Sequence, residues 1–294
     1  MHYLFEQSDS LNSPIECFIF DTSAEVFPVR PHWHYFAEII LVFSGTAQIH
    51  CSDKIFTLSE GEMAIFHPRA VHSIYSADGM QLRYGVFKFD LNRLGTAGSY
   101  IHSYSGVFKC AEKANMSIVF SESECEMLNC KKIFDICINE CYRRTYGYDA
   151  VIRSQIHTLL IGIIRCWLSQ GLAIDSNVLA HKDHFTIDTV TKYIDRASPD
   201  ELRVENIAAQ CGLSYSCFAK KFRELYGMSC KEYIEQMRIY KAEELLMFTD
   251  FDLNYISQET GFSDCSHMIK SFRKYRGCTP NSFRHKPNNA IGAT

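Results

Sequence analysis

The sequence lacks long apolar runs. Stretches such as Ile39 to Phe43 and Leu159 to Ile161 fall far short of the roughly 18–20 residues that a bilayer-spanning helix needs. The start, Met1-His2-Tyr3-Leu4-Phe5-Glu6-Gln7, has neither the basic segment nor the apolar stretch of a secretion signal. Together these shortages predict a cytoplasmic protein with no membrane partner. C-x-x-C pairs are missing too, although 13 cysteines are present. That spacing serves many zinc and dithiol centres, and without it the cysteines read as reduced, small apolar side chains. Cys137 and Cys141, one helical turn apart, leave a redox or metal role open.

An excess of either charge is also missing, with 30 Lys plus Arg against 34 Asp plus Glu and a net charge of −4. At 294 residues, 47% hydrophobic and 22% charged, the composition is that of a globular protein of two domains and excludes disorder, collagen and repeat arrays. The near-neutral total hides an asymmetry. Residues 1–183 hold 15 basic and 20 acidic side chains, whereas residues 184–294 hold 15 and 14.

From Glu16 to Asp90, short runs rich in Ile, Val, Phe and Tyr alternate with polar residues and are broken by Gly45, Ser52-Asp53, Ser59-Glu60-Gly61, Pro68 and Asp78-Gly79. Short strands between turn signals predict a β-sandwich or small barrel. After Ser121 the apolar period lengthens to three and four residues. Leu128, Ile133, Cys137 and Cys141, then Ile152, Ile156, Leu159, Ile163 and Trp167, predict two antiparallel helices flanking Gly147.

The last hundred residues repeat themselves. Ile207-Ala208-Ala209-Gln210-Cys211-Gly212-Leu213-Ser214 is echoed 49 residues later by Ile256-Ser257-Gln258-Glu259-Thr260-Gly261-Phe262-Ser263. Each copy predicts a short helix, a glycine turn and a serine that caps a second helix: two helix-turn-helix units. The second helices, Ser214–Tyr226 and Ser263–Arg276, carry net charges of +2 and +3, which concentrates positive charge where a phosphate backbone would be met. Ser229–Met247 reads as one connecting helix with Tyr233, Met237, Tyr240 and Leu245 along an apolar face. At 1.5 Å per residue it spans roughly 27 Å, against ~34 Å between successive major-groove entries.

Over about Thr186 to Arg284 these residues resemble the AraC/XylS family of bacterial transcription regulators. The resemblance rests on Arg238-Ile239-Tyr240-Lys241-Ala242-Glu243-Glu244-Leu245-Leu246, on Gly261-Phe262-Ser263-Asp264 and on Thr279-Pro280-Asn281-Ser282-Phe283-Arg284. Ser257 and Met268 depart from the family's small and aromatic residues. The resemblance implies DNA base contacts from Ser216, Ala219 and Lys220 and from Cys265, Ser266, His267 and Lys270, residue types able to address base edges. It also implies phosphate contacts from Ser214, Arg223, Ser263, Arg273 and Lys274. Phe218, Phe222, Phe262 and Phe272 are assigned to the core.

In the first half, His32, His34 and Glu38 precede Gly45, and Gly61, Pro68 and His72 follow. In one strand, alternation would put His32, His34 and Glu38 on one face. The spacing H-x-H-x3-E-x6-G, then G-x6-P-x3-H, resembles the cupin barrel over residues 20–90, with Val26 at a usual glycine position. That resemblance implies either a divalent-metal site of His32, His34, Glu38 and His72, suited to Fe, Mn, Ni or Zn, or an effector pocket formed by the same residues with Trp33, whose ring can stack on a sugar.

The fold class expected is α+β: a cupin-like effector-binding domain over 1–120 built on a β-barrel, a helical dimerisation hairpin over 121–170, a linker over 171–184, an all-α double helix-turn-helix domain over 185–286 and a flexible tail over 287–294. The function expected is transcription regulation, not enzymatic and without a required cofactor. Its partners would be double-stranded DNA, a small-molecule effector, a second copy of the chain and RNA polymerase. The rival readings are a metal-dependent cupin enzyme fused to a DNA-binding domain and a thiol sensor.

Overall fold

Alternating apolar residues between Ile15 and Phe89 form eight strands: β1 (Ile15–Asp21), β2 (Val29–His32), β3 (Ala37–Ser44), β4 (Ala47–Cys51), β5 (Lys54–Leu58), β6 (Met63–Phe66), β7 (His72–Ser76) and β8 (Arg83–Phe89). With β9 (Val119–Phe120) they make two antiparallel sheets, ordered β1-β8-β3-β6-β9 and β2-β7-β4-β5. The structure, a computed structural model, describes residues 15–285 except 26, 35, 78, 92–93, 95–103, 175–189, 191–193, 195–201 and 227, and for 224 and 225 the backbone alone. Val26, Asp78, most of the expected linker and the expected tail lie outside the described residues.

The two sheets enclose Ile40, Val42, Ile49, Leu58, Phe66, Ile74, Tyr84 and Val86. The alternate residues of β3 and β8 face the other way, and there Phe87 stacks on Phe134 with ring centroids 3.7 Å apart. β3 is therefore buried on both faces from Ala37 to Val42, which explains why its sequence reads as a continuous apolar run rather than an alternation.

Among the described residues, four helices complete this unit: α1 (Tyr104–Lys113), α2 (Glu122–Met127), α3 (Cys130–Arg143) and α4 (Tyr148–Ser169). The predicted two-helix hairpin corresponds to α3 and α4. The preceding α2 is separate, opened by a Ser121–Glu124 capping box and parted from α3 by Asn129, whose φ of 55° breaks the helical path. α1 falls inside the expected 1–120 effector-binding domain, after its strand-rich stretch. α4 has the length and composition of a membrane span, yet Ile152, Ile156, Leu159, Leu160, Ile163 and Trp167 are buried within the unit.

The chain divides into two compact units, residues 1–182 and 183–294. The second holds α5 (Val204–Gln210), α6 (Tyr215–Tyr226), α7 (Cys230–Phe248), α8 (Leu253–Glu259), α9 (Cys265–Arg276) and α10 (Pro280–Arg284). It has two cores, one around Phe218 and Phe222 and one around Phe262, Met268 and Phe272. α7 serves both: Tyr233, Ile234 and Met237 enter the first, while Ile239, Ala242 and Leu246 enter the second. The expected single apolar face along this helix is thus replaced by two, because a separate core packs on each half.

Candidate functional site

In the first unit, His32 ends β2, His34 lies in the corner after it, Glu38 begins β3 and His72 begins β7. The expectation that His32, His34 and Glu38 share one face of a single strand is corrected here. β2 and β3 belong to different sheets, and the three side chains converge because the chain crosses between sheets at that point. His32 and His72 are direct cross-strand partners. One donor atom from each of His32, His34, Glu38 and His72 lies within 4.8 Å of all the others. His34, Glu38 and His72 are buried, and His32 is half-buried. Trp33 is half-buried between them in sequence.

Backbone carbonyls set the tautomers. The Nδ1 atoms of His32, His34 and His72 lie 2.9, 3.1 and 2.9 Å from the carbonyl oxygens of Arg30, Phe36 and Ala70. A carbonyl can only accept, so each Nδ1 carries a proton, and Nε2 is the nitrogen that each ring presents to the group. His34 Nε2 lies 2.8 Å from Glu38 Oε2. His72 Nε2 is 3.5 Å from the same oxygen, longer than a charge-assisted hydrogen bond, and this buried nitrogen has no hydrogen-bond partner. Such a set fits a divalent cation: ring nitrogens oriented from behind by carbonyls, a carboxylate, and one buried acceptor left unmatched.

Burial alone would raise the Glu38 pKa. The Lys88 ammonium and the His34 and His72 rings outweigh it and hold the carboxyl well below the usual carboxylate range. Lys88 Nζ stands 3.7 Å from Glu38 Oε2. The sequence reading did not select Lys88. Its signal was a lysine at an inward position of an apolar strand, two residues from Val86 and four from Tyr84, both core residues.

In the second unit, the two turns are built alike. Gly212 and Gly261 have φ of +65° and +80°. Leu213 N–H donates to Ala208 C=O (3.0 Å) and Phe262 N–H to Ser257 C=O (2.9 Å), while Gly212 and Gly261 close the inner bonds to Ala209 and Gln258. This is the same glycine helix stop twice, and it turns α5 into α6 and α8 into α9. Ser216, Lys220, Ser266, His267 and Lys270 are exposed on α6 and α9, with Ala219 and Cys265 half-buried. Phe218, Phe222, Phe262 and Phe272 are buried.

Two expectations at α9 are corrected. Ser214 does cap α6, accepting from Cys217 N–H at 3.4 Å, but α9 is capped by Asp264, whose carboxylate accepts from His267 N–H at 2.7 Å. The helix begins one residue later than the repeat suggests, so Asp264 takes the cap position and Ser263 instead contacts Asp264 and the His267 ring. The charge count is corrected too. Arg276 donates twice to the buried Glu243, and Lys274 lies 3.4 Å from Glu235. Glu235 also accepts from Ser271 Oγ (2.5 Å) and Tyr275 OH (2.9 Å) and stands 3.9 Å from His267 Nε2. Lys270 and Arg273 remain the exposed cations of α9 that pair with no carboxylate among the described residues. Exposed Ser214, Arg223 and Ser263 flank this surface in sequence.

Residues 13–116 match the AraC-like ligand binding domain, and residues 207–286 match a helix-turn-helix domain. The chain thus carries an AraC-like ligand-binding domain and a helix-turn-helix domain, and its relatives are AraC-family regulators. It is 33% identical over 97 residues to the regulatory protein PocR of Salmonella typhimurium, covering 33% of this chain and 32% of that protein. It is 23% identical to the HTH-type transcriptional activator RhaR of Escherichia coli over an alignment of 276 residues that covers 86% of each. The matches at higher identity thus span about a third of the relatives' length. Among solved structures, apo ToxT K231A of Vibrio cholerae is similar over 92% of this chain and 97% of its own, with 12% identity and a TM-score of 0.40. The chain therefore joins a segment matched by the ligand-binding-domain family to one matched by the helix-turn-helix family.

Proposed function

We propose that the protein is an effector-controlled, sequence-specific transcription regulator that reads DNA with α6 and α9. The observation that carries this is the pair of equivalent glycine-turned helix pairs, each presenting an exposed lysine, Lys220 or Lys270, above a buried phenylalanine core. Base contacts fall to Ser216, Ala219, Lys220, Cys265, Ser266, His267 and Lys270, and phosphate contacts to Ser214, Arg223, Ser263 and Arg273, with Lys274 joining them only on leaving Glu235. The chain acts in the bacterial cytoplasm, associated with the nucleoid, as a homodimer through the exposed side of α3 and α4. It is an activator engaging RNA polymerase and is not an enzyme. A gel-shift titration with duplex DNA from the promoter beside the gene tests the reading. Lys220→Ala and Lys270→Ala should each weaken specific binding at least tenfold, whereas unchanged affinity and specificity in both would refute it.

A second reading of the effector site is favoured by His72 Nε2, buried without a hydrogen-bond partner beside three other donors. Donor atoms within 4.8 Å of one another leave room for an ion rather than for a sugar-sized molecule. His32, His34, Glu38 and His72 would hold a divalent metal, which would supply a Lewis-acidic point for an effector oxygen. The protein's own residues orient the rings and exclude water, and Lys88 holds Glu38 in the carboxylate form that a cation needs. Elemental analysis discriminates: stoichiometric metal that is lost in His34→Ala supports this reading, and metal-free protein after saturation with zinc and iron rejects it.

A further inference from the structure

Three cysteines from two elements meet on the outer side of the five-stranded sheet. Cys17 lies on β1, and Cys137 and Cys141 lie one turn apart on α3. Cys17 lies opposite Phe87 across β1 and β8, and Phe87 stacks on Phe134, one turn before Cys137 on α3. Cys17 and Cys137 are buried, while Cys141 is half-exposed near the end of its helix. Arg144, the residue closing α3, donates from Nε to the Cys141 carbonyl at 3.4 Å and so brings its guanidinium to that cysteine. The Cys17 contact and the Arg144 charge lower the Cys141 pKa against the opposing effect of burial. Burial, followed by the Cys137 and Cys141 contacts, pushes that of Cys17 well up.

We propose that Cys141 and Cys17 form a peroxide-reactive thiol pair, with Cys141 as the attacking sulfur and Cys17 as the resolving one. The Cys141 thiolate attacks one oxygen of a hydroperoxide. The O–O bond breaks, the departing oxygen takes a proton to leave as water or an alcohol, and Cys141, having lost two electrons, becomes a sulfenic acid. The Cys17 sulfur then attacks the Cys141 sulfur and the S–O bond breaks. The Cys17 proton leaves with the hydroxide as water, and a disulfide joins β1 to α3. Pairwise chemistry is favoured over a metal because the three sulfurs do not close into a mutual group. Among the described residues, only His32, His34, Glu38 and His72 bring their donor atoms within 4.8 Å of one another.

The molecule contains its own control. Cys125 and Cys130 are a second pair of neighbouring cysteines, but both are buried, and the neighbouring Cys130 together with burial pushes the Cys125 thiol up. A buried pair of this kind is inert.

The test is to treat the reduced, full-length protein with one equivalent of hydrogen peroxide, block the remaining thiols by alkylation and map the peptides by mass spectrometry. The expected product is a Cys17–Cys141 linked peptide two hydrogens lighter than the sum of its parts, with Cys125 and Cys130 still alkylated as thiols. In Cys17→Ala the reaction should stop at a Cys141 sulfenic acid that a cyclic 1,3-diketone traps. In Cys141→Ser the rate of peroxide consumption should fall on the order of tenfold. The proposal is overturned if Cys141 in the unmodified sequence oxidises no faster than the similarly half-exposed Cys110, or if the intramolecular link excludes Cys17.

Discussion

Glu235 accepts from Ser271 and Tyr275 and draws Lys274 close, with His267 at the edge of the group. Those contacts and the Lys274 charge outweigh partial burial and hold its carboxyl below the usual range. One carboxylate on α7 thereby fixes four side chains of α9. Glu235→Gln has two opposed consequences: it removes a negative charge near the surface proposed to face DNA and loosens the orientation of α9. Non-specific DNA affinity should hold or rise, while the ratio of specific to non-specific binding falls roughly tenfold, about 1.4 kcal/mol. Competition of operator against random duplex measures that ratio. Glu243 presents a different case, since both carboxylate oxygens are used by Arg276 and the pair is largely buried. Removing one member leaves a charge unmatched, so Glu243→Ala should destabilise the second unit by about 3–5 kcal/mol in urea unfolding.

At the scale of elements, two glycines make contrasting predictions about how α3 and α4 are packed. A Cβ at Gly85 on β8 would lie 2.5 Å from Phe134 Cδ1 and 2.8 Å from Phe43 Cζ. Those rings are stacked and edge-on in the seam between the sheet and α3 and have no free rotamer to take up. Gly85→Ala should cost about 1–3 kcal/mol. At Gly162 on α4 the new atom would meet only the Leu128 Cδ2 methyl, at 2.4 Å, the movable end of a flexible side chain. The gain in helix propensity, ~1 kcal/mol, should offset that contact and leave Gly162→Ala near neutral. Thermal melts of both variants check the pair. The periodicity of α3 and α4 was readable because each buries one stripe. The α2–α3 break was not, because it rests on a single left-handed asparagine that no apolar pattern marks.

At the scale of the whole molecule, the two units should respond to acid in different windows. Burial between Phe108 and Trp167 pushes the His67 pKa down to about 4. The unfolded chain therefore gains a proton near pH 6.5 that the folded chain refuses until about pH 4. Stability from this source is full above the unfolded value and is lost as pH falls through that window, by up to ~3 kcal/mol. The second unit's shifted carboxyls, Glu232, Glu235 and Asp264, are all lowered. Their contribution is full above the ordinary carboxylate range and is lost only as pH drops through their lower folded values. Circular dichroism melts at pH 7 and pH 5 should show the first unit losing stability while the second holds, and His67→Asn should flatten the first unit's response.

What the sequence by itself determined is what repeats locally. Alternation marked the strands, the 49-residue echo marked two helix pairs with their glycine turns, and residue type selected His32, His34, Glu38 and His72. These patterns record which face of an element is buried, and burial is a property each segment carries in its own residues. Tertiary structure alone decided which distant groups meet. It placed Lys88 against Glu38, withdrew Arg276 and Lys274 toward carboxylates on α7, and brought Cys17 to Cys141 across more than a hundred residues. Such meetings depend on strand register and on how helices dock, and neither leaves a period in the chain. The charge of a helix can therefore be counted from sequence, but how much of it faces a partner is set only when the neighbouring helix packs.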